Sequence, residues 1–114
     1  MSKLAQVMAN YEGFNVPGSV PQRDNNPLDL RHSPNSSHEG EGPNDIGEIP
    51  TPQLGWADAE GQLAKWAARG LTLAQMMAID APTTENDTAA YLAYICQAMP
   101  CTADMRVSDI LEIT

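Results

Sequence analysis

The chain has 114 residues, 42% of them hydrophobic, which predicts one domain with a single core. It carries 15 Asp and Glu residues against 6 Lys and Arg residues, a formal net charge of −9, so its field repels nucleic acid and anionic membranes, and we expect neither as a partner. Two cysteines are too few for a disulfide framework, and a single C-x4-C spacing lacks the second ligand pair of a zinc site, so we expect reduced thiols and no cofactor.

The first predicted element is a short helix over residues 3–12. Ser2 is a suitable N-cap and Gly13 a suitable end. Between them, apolar side chains recur at helical spacing: Leu4, Val7, Met8 and Tyr11. The prediction places Glu12 in the last turn.

A long loop is expected next. Residues 13–53 contain seven of the nine prolines and many Gly, Asn and Ser residues, so no long helix can form there, although a short β-hairpin can. We expect Val20, Leu28 and Leu30 to anchor the first part of this loop. Residues 32–47 contain one apolar residue, Ile46, which predicts a flexible loop over about 32–48.

Three more helices and a final short one are predicted, over about residues 54–69, 72–79, 85–99 and the segment after Ser108. Each has apolar side chains on one face: Trp56, Ala59, Leu63, Trp66 and Ala67; Leu73, Met76 and Met77; Tyr91, Leu92, Ile95 and Met99; Val107, Ile110, Leu111 and Ile113. The expected caps are Thr72, Thr84 in a capping box with Asp87, and Ser108. The fold class is therefore mainly α, with about five short helices in one domain over residues 1–114.

A group of possible metal ligands lies in the loop, within fourteen residues: His32, His38, Glu39, Glu41 and Asp45. Their spacing matches no established metal motif. In a segment rich in Gly, Ser and Asn we interpret them as solvated polar residues and expect no metal.

Glu12 is the candidate for acid chemistry. Glycoside hydrolysis needs a carboxylic acid that stays protonated near neutral pH, and partial desolvation beside apolar or aromatic groups has this effect. Glu12 follows Tyr11 and precedes Gly13 and Phe14, and the negative end of the helix macrodipole also disfavours a carboxylate there. We therefore expect a raised pKa. An arbitrary Glu at a helix end is more often a plain polar residue, so the motifs around Glu12 decide between the two readings.

Those motifs run Glu12-Gly13-Phe14 and then Arg23-Asp24-Asn25-Asn26-Pro27. Their order and spacing resemble small phage lysozyme-like or transglycosylase-like proteins, in which a helix ending in Glu-Gly is followed by an Arg-x-Asn-Asn-Pro-Gly-Asn-Leu-type loop. A similar Asn-Asn element follows the catalytic Glu of flagellar-type glucosaminidases. The resemblance extends over nearly the whole chain, through residues 11–14, 17–19, 22–31, 49–56, 70–73 and 81–92.

The resemblance implies a lysozyme-like fold and a set of site residues. Glu12 takes the place of the general acid, Asn25 and Asn26 shape the floor of the sugar cleft, and Tyr91 is an aromatic residue facing that cleft. Alternatives stay open for three of them, since Asn-Asn-Pro is also an ordinary turn signal and a helical Tyr is often a core residue.

Arg23 and Arg31 are candidates for substrate contacts, or for charges that only hold the loop in place. The sequence also departs from the family pattern. Leu28 stands where the family has Gly, Asp29 where it has Asn, and Ile49 where it has an aromatic residue, so the loop cannot use the conformational freedom of Gly at position 28.

A glycosidase that hydrolyses its substrate uses a second carboxylate roughly 5 to 9.5 Å from the first. The candidates are Asp24, Asp29, Asp45 and Glu48, and no spacing argument selects one of them. Lytic transglycosylases of the related single-Glu type work without a second carboxylate, using the acetamido group of the substrate.

The resemblance implies a phage-encoded muramidase or lytic transglycosylase whose partner is the peptidoglycan glycan strand. The alternatives are an inactive lysozyme-like component of a virion, bound to other virion proteins, and, more distantly, an acidic mimic of nucleic acid. The N-terminal residues contain no apolar run like that of a signal peptide, so we expect synthesis in the bacterial host cytoplasm and action at the periplasmic cell wall or in a virion.

Overall fold

Helices dominate the described part of the chain, which comprises residues 1–37, 46–80 and 87–114 of a computed structural model. Within these ranges there are six: α1 (Lys3–Glu12), α2 (Val20–Arg23), α3 (Pro52–Ala68), α4 (Leu73–Asp80), α5 (Thr88–Ala98) and α6 (Val107–Ile110). These helices contain about half of the described residues. No described residue lies in a β-strand. The mainly helical class is confirmed, and the described part of the loop after α1 forms no β-hairpin.

The helix α1 has the bounds that its local signals predict. The Ser2 hydroxyl accepts a hydrogen bond from the first turn, and Gly13 ends the helix at a φ of 90°. The N–H groups of Gly13 and Phe14 donate to carbonyls of the last turn at 3.2 and 3.0 Å, the pattern of a Schellman motif. This turn fixes the directions in which Glu12 and Phe14 leave the helix.

The short helix α2 was not predicted. Ser19 caps it by accepting a hydrogen bond from the Gln22 N–H, and Pro21 occupies its first turn, where a missing N–H has no cost. The prediction that Val20 anchors the loop is wrong, because this residue opens the helix with 41% of its surface exposed. Leu28 and Leu30 are buried as expected.

Both flanks of the segment expected to be a flexible loop are hydrogen-bonded to the rest of the molecule. The Asn35 backbone N–H and side-chain amide donate to the Asp58 carboxylate on α3 at 2.9 and 2.6 Å. The Ser37 N–H donates to the Glu48 carbonyl at 2.7 Å. Residues 38–45 lie outside the described residues, so the prediction of flexibility stands untested for them.

Three other helix starts differ from their predictions. The helix α3 begins two residues early, at Pro52, because the Thr51 hydroxyl caps it. Asp87 caps α5 through the Ala90 N–H at 3.0 Å, whereas the expected cap Thr84 lies outside the described residues. The prediction of Ser108 as a cap is wrong, because α6 starts one residue before it.

The core lies where α1 packs against α3 and α5, with α4 against α5 and α6 against α3. Leu4 and Met8 on α1, and Tyr91 and Ile95 on α5, are fully buried. The predicted inward residues of α4 are buried as well: Leu73, Met76 and Met77. Among the described helices, none is long and apolar enough to cross a membrane.

Candidate active site

The Glu12 carboxyl lies half-buried at the end of α1, where the Schellman turn holds it. Burial raises its pKa from the ordinary 4.5 to about 8. A hydrogen bond from the Tyr91 hydroxyl lowers the pKa in part, whereas the charges of Asp80 and Asp29 raise it further. The carboxyl is therefore mostly protonated at neutral pH, which is the state that a general acid needs.

Tyr91 is the buried side chain that hydrogen-bonds to Glu12. Its ring is fully buried and stacks on that of Tyr11, with the centroids 4.0 Å apart. Its single hydroxyl proton has two acceptors within reach, the Glu12 carboxyl and the Met8 carbonyl at 3.4 Å. Burial, followed by the nearby Glu12 and Asp80 charges, holds the pKa of Tyr91 well above its usual range, so it remains a donor. Of the two readings of Tyr91, the structure favours the core residue, because no part of the ring is exposed to a ligand.

Replacing Tyr91 with phenylalanine is expected to raise the pKa of Glu12 above about 8, because the ring stays while the hydroxyl donor that favours the carboxylate is lost. NMR titration of the Glu12 side-chain carboxyl measures this directly. Tyr94→Phe is the matched control, since the Tyr94 hydroxyl bonds to Asn10 and not to Glu12. An unchanged or lowered pKa in Tyr91→Phe would contradict the proposed arrangement.

Asn26 organises the loop that faces α3. Its side chain is fully buried, and its amide nitrogen donates to the Leu30 and Gly47 carbonyls at 2.7 and 3.0 Å. Its amide oxygen accepts a hydrogen bond from the Leu30 N–H at 2.9 Å. These bonds occupy the amide within the protein, so Asn26 shapes the loop but does not expose its side chain to a ligand.

The Asn25 side chain also makes a hydrogen bond within the loop, although it is only half-buried. Its amide nitrogen donates to the Ile49 carbonyl at 3.0 Å, and its backbone adopts a φ of 53°. The close approach to α3 occurs here, because a Cβ atom added to Gly55 would lie 1.9 Å from the Asn25 carbonyl oxygen. The loop is therefore seated directly on the first turn of α3.

Asp29 is the candidate second carboxylate whose charge acts on Glu12. It is half-buried, and its Oδ1 is buried without a hydrogen-bond partner in the described structure. Burial, with the charge of Asp24, raises its pKa to about 6. Its φ of 55° explains why position 28 does not need Gly: the left-handed residue is Asp29 itself, and Asp adopts this conformation more readily than most residues.

The other candidates for a second carboxylate are placed differently. Asp24 is buried and bonds to the Arg23 guanidinium at 3.2 Å, Glu48 is exposed, and Asp45 lies outside the described residues. The sequence did not single out Asp80, the last residue of α4, although its charge acts on both Glu12 and Tyr91. The sequence signal that could have identified Asp80 is that it is acidic and ends a short helix, as Glu12 does.

Arg23 is mainly exposed, and its contact with Asp24 favours a role in holding the loop. A second feature that sequence reasoning missed is the packing of Phe14 edge-on against Trp56, with the ring centroids 5.3 Å apart. Both rings are half-buried, and the pair links the turn after Glu12 to the start of α3.

Among the described residues, no group of three or more His, Cys, Asp or Glu side chains is arranged to hold a metal ion. Four of the five loop residues considered as ligands lie outside those residues: His38, Glu39, Glu41 and Asp45. Comparisons with protein families, curated proteins and solved structures found no match to this chain.

Proposed function

We propose that this protein is a lysozyme-like glycosidase that cleaves peptidoglycan, as a phage muramidase or lytic transglycosylase. Glu12 protonates the glycosidic oxygen of the β-1,4 bond between N-acetylmuramic acid and N-acetylglucosamine. The observation that carries the proposal is the pKa of about 8 that burial gives to a carboxyl at the end of α1, next to a second acidic side chain. The resemblance of the surrounding motifs supplies the substrate class.

The two carboxyls have pKa values that suit different roles. At neutral pH Glu12, with a pKa of about 8, is mostly protonated, whereas Asp29, with a pKa of about 6, is mostly ionised. Two nearby carboxyls with separated pKa values are typical of a site in which one is the general acid and the other stays ionised. Asp29 then stabilises positive charge on the sugar ring, or accepts a proton from the attacking water or muramyl hydroxyl.

The aromatic pair of Phe14 and Trp56 offers a surface for the substrate. Each ring keeps part of its area exposed, and Phe14 is two residues from Glu12 along the chain. Sugar rings present apolar C–H faces that pack on aromatic side chains while their hydroxyls stay solvated. In this proposal one ring of the glycan strand packs on the pair, next to the bond that Glu12 protonates.

The test is mass spectrometry of the products released from purified peptidoglycan. Wild type is expected to release fragments with reducing ends if it hydrolyses the bond, or anhydro-sugar ends if it is a transglycosylase. Glu12→Gln is expected to lose at least about 100-fold in rate, since a general acid contributes roughly 10²–10⁴-fold. Glu112→Gln, which removes an exposed carboxylate near the C-terminus, is the matched control. Equal release by wild type and Glu12→Gln, both folded by circular dichroism, would refute the mechanism.

A second candidate function is an inactive lysozyme-like component of a virion that binds glycan or another virion protein. The observation that favours it is the complete burial of Asn26 and Tyr91, two of the residues that the resemblance assigns to substrate binding. In the same assay, this candidate predicts that the folded wild type releases no fragments of either kind; if the component binds glycan, it is also expected to sediment with intact peptidoglycan.

A further inference from the structure

A groove of about 910 Å³ lies between α1, α5 and the C-terminal segment, within the size range of small-ligand sites. It is on the other side of α1 from the candidate active site: at about 100° per residue, Asn10 in the groove is roughly 160° from Glu12 around the helix. The Tyr11 ring stands between the two places. Its centroid is 4.0 Å from that of Tyr91, which bonds to Glu12, and 5.2 Å from that of Tyr94, which lines the groove.

One end of the groove carries a chain of hydrogen-bonded polar side chains. The Asn15 amide nitrogen donates to the Asn10 amide oxygen at 3.4 Å, and the Asn10 amide nitrogen donates to the Tyr94 hydroxyl oxygen. Among the described residues, the Tyr94 hydroxyl proton has no acceptor and the Asn15 amide oxygen has no donor. A ligand at this end of the groove therefore meets one hydrogen-bond donor and one acceptor that the protein itself does not occupy.

The rest of the groove is mainly apolar. Val7, Leu111 and Ile113 pack against the core but are only partly buried, so they present apolar surface to the groove. Among the described residues that line it, none is Asp or Glu, although the chain has 15 acidic residues, and Lys3 is the one charged side chain. The groove therefore suits a ligand that is uncharged or weakly anionic, with polar groups next to an apolar one.

We propose that this groove is a second glycan-binding site, which holds an N-acetylated sugar without cleaving it. The acetamido carbonyl accepts a hydrogen bond from the Tyr94 hydroxyl, a sugar hydroxyl donates to the Asn15 amide oxygen, and the acetamido methyl packs on the apolar side chains. The choice of a glycan rests on the proposed function, whereas the match to an acetamido group comes from the groove itself. A strand held here stays close to Glu12 between cuts, which raises the effective concentration of its bonds there.

A peptide fits the groove less well than a sugar does. Proteins commonly bind peptides by adding a strand to the edge of a sheet, or by covering the apolar face of a helix in a hydrophobic groove. No described residue lies in a β-strand, and the polar chain from Asn15 to Tyr94 interrupts the apolar surface.

The experiment is an NMR titration of the folded protein with triacetylchitotriose, a soluble trimer of N-acetylglucosamine. The side-chain amide signals of Asn10 and Asn15 are expected to shift and to saturate together. Cellotriose, which has hydroxyls in place of the acetamido groups, is the control ligand. It is expected to bind at least roughly tenfold more weakly, because it lacks the carbonyl acceptor and the methyl group.

Two variants test the polar contacts. Tyr94→Phe and Asn15→Ala are each expected to raise the Kd for triacetylchitotriose roughly 3- to 10-fold, the effect of losing one neutral hydrogen bond. Gln53→Ala removes an exposed amide on α3 outside the groove, so it is the matched control and is expected to leave the Kd unchanged.

Titration of Glu12→Gln separates this proposal from the proposed function. The Kd at the groove is expected to equal that of wild type, because Glu12 does not line it. A wild type that releases no fragments from peptidoglycan would refute the cleavage mechanism and leave this titration unaffected.

Three outcomes would overturn the second site. The first is a titration in which the Asn10 and Asn15 amide signals do not move, including one in which only the Trp56 indole signal responds. The second is equal affinity for cellotriose, or an unchanged Kd in both Tyr94→Phe and Asn15→Ala. The third is tighter binding of an N-acetylated tripeptide such as acetyl-trialanine, because the groove would then be a peptide site.

Discussion

Glu12→Gln is expected to make the protein more stable at alkaline pH, by about 3 to 5 kcal/mol. In the unfolded chain Glu12 releases its proton near pH 4.5, whereas in the folded protein it keeps the proton up to about pH 8. The stability that this proton supplies is complete below pH 4.5 and is lost as the pH rises through 8. Glutamine has no charge to bury, so the variant does not lose stability as the pH rises through this range.

Urea unfolding of wild type and Glu12→Gln at pH 4, 6, 7 and 9 measures the effect, and the difference between the two free energies of unfolding is expected to grow with pH. Asp29 adds a loss of the same sign between about pH 3.8 and 6, which both proteins share. Glu112→Gln again serves as control for the removal of one negative charge from an exposed position. A difference that stays constant with pH would mean that the folded protein does not hold Glu12 protonated.

Gly55→Ala is expected to destabilise the protein by at least about 2 kcal/mol, because the new methyl group meets backbone that cannot easily move. Its Cβ would lie 1.9 Å from the Asn25 carbonyl oxygen and 3.1 Å from the Pro27 side chain. The loop must lift away from α3 to accept it. The consequence reaches the candidate site around Glu12, since the same loop carries Asp29.

The matched control lies six residues further along the same helix. A Cβ added to Gly61 has no atom within 4 Å, so Gly61→Ala is expected to stabilise the protein by about 0.5–1 kcal/mol through its better helix propensity. Thermal and urea unfolding of the two variants measure both effects. Stabilisation by both substitutions would show that the loop does not rest on α3.

The sequence predicted the limits of α1 and the buried face of α4 from neighbouring residues, whereas it missed α2 and the starts of α3 and α5 although their caps are local as well. Ser2 and Gly13 mark the two ends of α1, and the apolar positions of α4 are buried as their spacing indicates. The start of α6 was missed because it depends on a contact with a distant segment. Arg106 forms an isolated β-bridge with Thr72, and this pairing, not a local capping side chain, determines where the helix begins.

The candidate site was predictable only in part for the same reason. A helix ending in Glu12 between aromatic neighbours indicated a raised pKa, and the structure agrees in direction. The charge of Asp80 and the hydroxyl of Tyr91, which also act on the pKa of Glu12, come from α4 and α5. The residues next to Glu12 in the sequence indicate neither of them. For Asn26, the local sequence permitted both a turn and a cleft residue, and only its burial shows that the amide serves the loop.

The hydrogen bonds of Asn26 also bear on how the protein ages chemically. Asparagine side chains convert slowly to carboxylates when the following backbone nitrogen attacks the amide carbon. That nitrogen here belongs to Pro27, which has no N–H to lose, so the route is closed. Conversion would set a negative oxygen against the Leu30 and Gly47 carbonyls, which now receive hydrogen bonds from the amide. Asn26, the residue whose deamidation would remove these hydrogen bonds from the loop, is thus protected from that reaction by Pro27.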